Sequence, residues 1–124
     1  ETYLLSSYAG RKLNCKPNSG SVGNLYLKPG DSTPEEIIAS VKNGLLLTSV
    51  SGMGFNVVTG DYSMGASGTW IENGKLAYPV SGITVAGNVL EMFGNIEAIG
   101  NDLNFRSSTV SPTIKISKMT VAGE

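Results

Sequence analysis

The stretch GASGTWIENGKLAYPV, residues 65–80 of 124, decides the fold class of this chain. At its centre stands Asn73-Gly74, a dipeptide typical of a type I′ turn, because both central positions of that turn need positive φ. We therefore predict a β-hairpin in which residues 67–72 pair with residues 75–80. The apolar side chains of this hairpin are Trp70, Leu76 and Tyr78.

The clearest helix signal lies upstream of the hairpin. Thr33 can cap a helix, Pro34 fits the first helical position, and Glu36 stands three residues after Thr33 as in a capping box. Gly44 is expected to end this helix. Its apolar stripe consists of Ile37, Ile38 and Val41.

Two shorter helices are also predicted. Apolar residues at helical spacing within residues 3–13 favour a helix that ends near Lys12. Asn88 can cap a second helix that runs to about Phe93. The expected loops are residues 14–23 and 51–62, the latter around a short extended piece.

Further strands are predicted wherever short apolar or alternating runs stand between turn formers. Together with sixteen glycines they indicate a β-rich α+β fold, with a mixed or antiparallel, barrel-like sheet and two or three short helices. We expect residues 1–124 to form one domain. The further strands are residues 24–28, 45–50 (expected to be buried), 83–86, 96–99 and 113–121.

The charge pattern excludes several classes of partner. Nine basic and ten acidic residues are spread along the chain and leave a net charge of −1. Nucleic-acid-binding proteins usually carry a clustered basic patch, so we expect no nucleic acid. No apolar run approaches the length of a membrane span, and no leader peptide is visible, so we expect no membrane contact. Charged residues make up only 15% of the chain, which fits either a surface that is covered by a partner or a small neutral domain.

Histidine is absent, which limits the available chemistry more than any other feature. Without it the chain lacks the commonest metal ligand and the commonest general base. The single Cys15 cannot form an internal disulfide, and this is typical of a reducing compartment, so we expect a cytoplasmic protein. Although Lys16 could lower the pKa of a neighbouring thiol, we interpret Cys15 as an ordinary loop thiol, buried or exposed.

Five stretches, in order, resemble the C-terminal domain of the PmbA/TldD family, also called modulators of DNA gyrase. The runs GDYSMGASGTWIENG and MFGNIEAIGNDL are more similar to the PmbA (TldE) branch than to the TldD branch. The five stretches are SSYAGRKLNCKPNSGSVGN (6–24), LKPGDSTPEEIIASVKNGLLLT (27–48), SGMGFNVVTGDYSMGASGTWIENGKLAYPV (51–80), ITVAGNVLEMFGNIEAIGNDL (83–103) and the terminal MTVAG.

The resemblance implies where a zinc ligand would be found. In TldD-type chains the zinc is bound by two histidines of an upstream HExxxH helix and by a cysteine in a C-terminal loop. That cysteine would stand between Asp102 and Thr113, where this sequence reads DLNFRSSTVSPT and has none. A catalytic zinc needs about three protein ligands, and Cys15 lies in a different segment. We therefore expect no catalytic, cofactor-binding or metal-binding residue here, and zinc only in a TldD-type partner.

The remaining carboxylates are interpreted as structural. Glu35 and Glu36 fit the N-terminus of a helix, where negative charge is favourable. Asp61 and Asp102 fit turns. All four could contact a hard cation, but their spacing matches no recognised loop such as an EF-hand.

The resemblance implies a non-catalytic domain of a PmbA (TldE)-like subunit, which pairs with a TldD-type chain and helps to enclose a cavity for unfolded or extended peptides. By the same resemblance the complex matures modified-peptide antibiotics and degrades antitoxins. Extended peptides bind exposed strand edges, and the glycine-rich residues 52–68 are one candidate. We prefer the simpler interpretation that those glycines serve turns and strand packing.

Two alternatives stay open. One is a homodimeric peptide-binding or chaperone-like module without proteolysis. The other is a secreted β-rich adhesion module, suggested by the low charge and the many glycines. Family members are about three to four times this length, so we expect the chain to be part of a longer protein.

Overall fold

The structure is a computed structural model that describes residues 7–17 and 24–123. In this part of the chain it has three short helices, α1 (Ser7–Leu13), α2 (Pro34–Ala39) and α3 (Val89–Gly94). The fold is β-rich α+β, as predicted. The strands are β1 (Leu25–Tyr26), β2 (Asn43–Ser51), β3 (Asp61–Glu72), β4 (Lys75–Asn88), β5 (Ile96–Ile99), β6 (Thr109–Val110), β7 (Ile114–Ile116) and β8 (Thr120–Ala122).

The chain divides into two compact units. Unit 1 comprises residues 1–28 and 104–111, and unit 2 comprises residues 29–103 and 112–124. In unit 1, β1 and β6 form a parallel pair in which Leu25 lies opposite Thr109. The rings of Tyr26 and Phe105 meet edge to face, with 5.3 Å between their centroids. The assignment of residues 1–124 to one domain stays a prediction.

Unit 2 is built on a four-stranded antiparallel sheet in the order β2-β3-β4-β8. Its centre is the predicted hairpin, in which Asn73 and Gly74 have φ angles of +48° and +75°. The Asn73 N–H donates to the Lys42 carbonyl at 2.6 Å, and the Gly74 N–H donates to the Val41 carbonyl at 2.7 Å. Glu72 lies opposite Lys75 and Trp70 opposite Tyr78, so the hairpin prediction is confirmed, and both strands extend well beyond the predicted residues.

A small apolar core lies against this sheet. Ala66 of β3 and Ile83 and Val85 of β4 form a buried cluster. Ile71 of β3 and Ile37 of α2 are also buried. The partly buried residues that pack on the cluster are Leu45, Leu47, Met64, Val80 and Met119.

Helix α2 begins as predicted but ends earlier. The Glu36 N–H donates to Thr33 Oγ1 at 3.2 Å, and the Thr33 N–H donates to Glu36 Oε2 at 3.1 Å, so the capping box is present. The predicted end at Gly44 is wrong, because the helix stops at Ala39. Gly44 instead pairs with Ile71 at the start of β2, so strand pairing takes residues that the apolar spacing assigned to the helix.

Two strand predictions also need correction. The prediction of a single strand over residues 113–121 is wrong, because this segment forms two strands in different sheets. β7 pairs with β5, and β8 pairs with β4. The strand predicted as buried over residues 45–50 is only half-buried, and Val50 is 52% exposed.

Other predictions agree with the structure. The strand over residues 96–99 is β5, and Asn88 caps α3 by accepting from the Leu90 N–H at 3.0 Å. The strand over residues 24–28 shortens to the two residues of β1. Parts of the predicted first helix and first loop, residues 3–6 and 18–23, lie outside the described residues.

The four-stranded sheet is open, since β2 and β8 stand at its two ends. Among the described strands, therefore, none closes a barrel. The longest helix in the described residues has seven residues. No helix in the described part of the chain has the length and apolar character to cross a bilayer.

Candidate functional site

Two β-bulges lie side by side at the level of Ser67 in the central strand β3. On β2 the register passes from Leu47 opposite Gly68 to Ser49 opposite Ser67, which leaves Thr48 as the extra residue. On β4, two residues stand where β3 has only Ser67, and one of them, Gly82, has a φ of +69°. Bulges bend a strand and re-aim its side chains, so we expect the sheet to bend along this line.

A shallow depression of about 360 Å³ lies at this line of bulges. The hydroxyl groups in its lining belong to Ser49, Ser51, Ser67 and Thr84, and no ionisable side chain contributes to it. Hydroxyl groups both donate and accept hydrogen bonds, so this surface suits uncharged polar groups such as peptide amides. It contains no base that could activate a serine.

The glycines near this depression serve strand packing and turns, as the sequence favoured. A side chain on Gly68 would place its Cβ 2.0 Å from the Leu46 carbonyl oxygen. The close approach of β3 to β2 therefore requires glycine at position 68. Thr48 closes the bulge, because its hydroxyl donates to the Ser67 carbonyl at 3.3 Å.

The outer edge of β2 is unpaired among the described residues. β2 stands at one end of the sheet and contains nine residues, Asn43–Ser51, with no charged residue and no proline. Exposed edges are usually protected by lysine, proline or a very short strand. The edge of β2 has no lysine or proline, and the bulge at Thr48 is its one interruption, so the backbone on either side of Thr48 is a candidate position for an added strand.

The loop between residues 102 and 113 is closed at its base by one carboxylate. The Thr113 N–H donates to Asp102 Oδ1 at 2.9 Å, and the Thr113 hydroxyl donates to Asp102 Oδ2 at 2.7 Å. Desolvation acts to raise the pKa of Asp102, but the hydrogen bonds from Thr113 outweigh it and the pKa lies below its usual value. Asp102 thus fixes the two ends of the loop. The loop also contains the short strand β6, which no sequence pattern predicted.

Asp61 also has a structural partner. Asn88 Nδ2 donates to Asp61 Oδ1 at 2.9 Å. This bond and one from the Thr59 side chain lower the pKa of Asp61, against a smaller opposing effect of desolvation. Asp61 therefore ties the start of β3 to the cap of α3.

The structure does not bring the candidate ligands together. Glu35 and Glu36 lie in the first turn of α2, while Asp61 and Asp102 hold separate loops. Across residues 7–17 and 24–123, no group of three His, Cys, Asp or Glu side chains could hold a metal ion.

Cys15 lies in unit 1 and is exposed. Its N–H donates to the Gly10 carbonyl at 3.0 Å, and Asn14 before it has a φ of +50°, so this segment ends α1. A depression of about 490 Å³ beside it is also lined by Arg11 and Lys16. An exposed loop thiol is one of the two states expected for Cys15.

The chain is similar to known proteins over its whole length. It is 41% identical to the metalloprotease PmbA homolog of Haemophilus influenzae over 99% of this chain. It is 39% identical to the metalloprotease PmbA of Escherichia coli O157:H7 over 98% of this chain. A metalloprotease TldD homolog of Buchnera aphidicola is less similar, at 28% identity over 99% of this chain. The chain spans 28% of the length of either PmbA relative and 32% of the TldD relative.

A solved structure shows the same fold. The crystal structure of a proposed modulator of DNA gyrase from Bacteroides thetaiotaomicron superposes with a TM-score of 0.86 at 34% sequence identity. The match covers 100% of this chain and 28% of that one. Residues 1–123 match the family described as the PmbA/TldA metallopeptidase C-terminal domain. The chain therefore belongs to the PmbA/TldD metallopeptidase family and represents its C-terminal domain.

Proposed function

We propose that this chain is the non-catalytic C-terminal domain of a PmbA (TldE)-like subunit. That subunit pairs with a TldD-type zinc metallopeptidase, and the complex acts on unfolded peptides in the cytoplasm. The higher identity to PmbA relatives than to the TldD relative supports the branch. The alignment with the TldD relative is 155 positions long, against 128 with the PmbA homolog, so the TldD chain carries insertions that this chain lacks.

The proposal rests on the side chains of the loop between residues 102 and 113, which lack a set of zinc ligands. Zinc in peptidases takes histidine, cysteine or carboxylate ligands, about three from the protein. The loop offers one such group, Asp102, and both of its oxygens already accept hydrogen bonds from Thr113. The chain contains no histidine. These residues do not fit a catalytic zinc, and we assign no step of hydrolysis to them.

The sheet supports a role in holding extended peptide. The uncharged edge of β2 on either side of the Thr48 bulge offers backbone hydrogen bonds that do not depend on the sequence of the added strand. The hydroxyl-lined depression lies on β2, β3 and β4 at the bulges, next to that edge. Because neither feature carries charge, both suit an unfolded substrate of mixed sequence.

The same two features also favour a second candidate, a homodimeric peptide-binding or chaperone-like module without proteolysis. This candidate needs only the edge and the depression, and no TldD-type partner. The family assignment gives no support to a secreted adhesion module.

Co-purification separates the two candidates. The full-length protein is expressed with and without a TldD-type subunit, and cleavage of an unfolded peptide is measured with zinc and with a chelator. The first candidate predicts a stable complex and zinc-dependent cleavage only when both chains are present. Peptide binding by the protein alone, with neither complex nor cleavage, favours the second candidate and contradicts the first.

A further inference from the structure

The two faces of the four-stranded sheet differ in chemistry beside the edge formed by β2. Directly opposite residues of an antiparallel pair point to the same face of a sheet. Val50 lies opposite Ala66, which lies opposite Ile83, so these three side chains form an apolar row. The row lies on the face that carries the buried cluster, because Ala66 and Ile83 belong to that cluster.

The neighbouring row, on the other face, is polar. Ser51 lies opposite Gly65, which lies opposite Thr84. A Cβ added at Gly65 would lie 3.0 Å from Ser51 Oγ, so the Ser51 hydroxyl reaches over the glycine. Ser49 and Ser67 lie opposite each other on the same face. These hydroxyl groups line the depression of about 360 Å³.

The bulge at Thr48 produces this separation of the two faces. Leu45 and Leu47 pack against the buried cluster. Side chains alternate along a strand, so without an extra residue Ser49 would follow the two leucines onto the apolar face. Thr48 shifts the alternation by one residue. The bulge therefore keeps Val50 in the apolar row and the two serines of β2 outside it.

The apolar row ends at Val50 with a partly uncovered side chain. Ala66 and Ile83 are 8% and 5% exposed, whereas Val50 is 52% exposed. Among the described residues, no strand pairs with the outer edge of β2. One further apolar side chain beside Val50 would extend the row and would cover apolar surface that faces water.

The strands that carry these rows are uncharged where the rows lie. β2 has no charged residue, and neither have residues 62–71 of β3 or residues 76–88 of β4. The surface thus offers no ion pair to a charged side chain. It offers hydroxyl groups, which donate and accept hydrogen bonds, to uncharged polar side chains.

We propose that the edge of β2 at residues 49–51 prefers peptide segments in which one apolar side chain stands between two small uncharged polar ones. An antiparallel strand added here places one residue beside Val50, on the apolar face, and its two neighbours on the hydroxyl face, beside Ser49 and Ser51. Backbone hydrogen bonds give the affinity, and the alternate side chains give the preference. The inference rests on the proposed role of the sheet in holding extended peptide, and it names the class of peptide that is held.

Three labelled peptides measure this preference on the full-length protein by fluorescence anisotropy. They share a host sequence of serine, threonine and glutamine and differ only in their central tripeptide, which is Thr-Thr-Thr, Thr-Leu-Thr or Leu-Leu-Leu. The Thr-Leu-Thr peptide should bind about two- to fivefold more tightly than the Thr-Thr-Thr peptide, from one cross-strand apolar contact. The Leu-Leu-Leu peptide should gain nothing further, because its outer leucines would leave the hydroxyl groups without partners.

Variants of the sheet edges locate the preference. Val50→Thr keeps a β-branched side chain but adds a hydroxyl, so it should abolish the advantage of the Thr-Leu-Thr peptide. Val121→Thr, on the opposite edge strand β8, is the matched control and should retain that advantage. Ser49→Val combined with Ser51→Val makes both faces of the β2 edge apolar, so the Leu-Leu-Leu peptide should become the tightest ligand.

The outcomes separate this inference from the proposed function. Equal affinity of the wild type for all three peptides overturns the inference, as does a failure to bind any of them. An advantage of the Thr-Leu-Thr peptide that survives Val50→Thr also overturns it. The proposed pairing with a TldD-type subunit is read out separately and fails only if the two full-length chains form no complex when they are expressed together.

Discussion

Thr113 donates two hydrogen bonds to the carboxylate of Asp102, from its N–H at 2.9 Å and from its hydroxyl at 2.7 Å. Both residues belong to unit 2, whereas residues 104–111 between them belong to unit 1. The pair therefore fixes the two points at which the chain leaves unit 2 and returns to it. The same loop is the one in which the TldD branch is expected to place a zinc ligand.

Asp102→Asn removes the charge from this pair. We expect it to lower the free energy of unfolding at pH 7 by about 0.5–1 kcal/mol, because the bonds from Thr113 are exposed and charge-assisted. Folding lowers the pKa of Asp102 below its ordinary value of 3.8. The ionised carboxylate therefore stabilises the fold fully above the unfolded-state pKa, and this stabilisation is lost as the pH falls through the folded-state pKa. Urea titrations at several pH values, with Asp31→Asn as the matched control, measure the effect. Equal losses in the two variants at every pH would contradict it.

Gly74→Ala tests the hairpin. Gly74 has a φ of +75°, and an added Cβ would lie 2.6 Å from the Ala39 carbonyl oxygen. We expect a loss of about 2 kcal/mol in the free energy of unfolding, from backbone strain and from this contact. Gly94→Ala is the control, because no atom would lie within 4 Å of its Cβ and alanine favours a helix. The free energy of unfolding of the Gly94→Ala variant should stay equal or rise by up to about 1 kcal/mol. A larger loss of stability from Gly94→Ala than from Gly74→Ala would contradict the strained turn at Gly74.

The edge of β2 can be tested with Val50→Lys. Val50 is 52% exposed, so the change should alter stability by less than about 0.5 kcal/mol. A lysine on an edge strand discourages strand addition, so the affinity for an unfolded peptide should fall several-fold. Fluorescence anisotropy with a labelled peptide measures this. Val121→Lys, on the opposite edge strand β8, is the control, and an equal loss there would show that charge alone is responsible.

The sequence was sufficient to predict turns and helix caps, because residues close together in the chain determine them. The turn at Asn73-Gly74 and the capping box of Thr33 and Glu36 are set by a few adjacent side chains, and both are present. The end of α2 was wrong because Gly44 pairs with Ile71, which lies 27 residues further along the chain. Strand β6 was missed because its partner β1 lies more than 80 residues away. No local pattern reports such pairings.

The sequence analysis reached a structural role for Asp102, but it did not predict the hydroxyl-lined depression or the geometry around it. The sequence placed Asp102 at the critical loop and assigned it a structural role, and the structure adds that Thr113 is its partner. The paired bulges at Thr48 and Gly82 depend on the register of three strands, which the sequence does not specify.

A chelator should distinguish the roles of the two subunits. Treatment of the full-length protein alone with o-phenanthroline should leave its free energy of unfolding unchanged. Among the described residues, no group of side chains could hold a zinc ion that the chelator would remove. The same treatment of the complex with a TldD-type subunit should abolish peptide cleavage, and added zinc should restore it. Destabilisation of the protein alone by the chelator would point to a metal site within it.

The most direct test is the zinc content of the full-length protein purified without a TldD-type subunit, measured by plasma mass spectrometry after dialysis. We predict far less than one zinc per chain, and about one zinc per complex once the TldD-type subunit is bound. About one zinc retained per chain by the protein alone, together with cleavage of an unfolded peptide, would contradict the account.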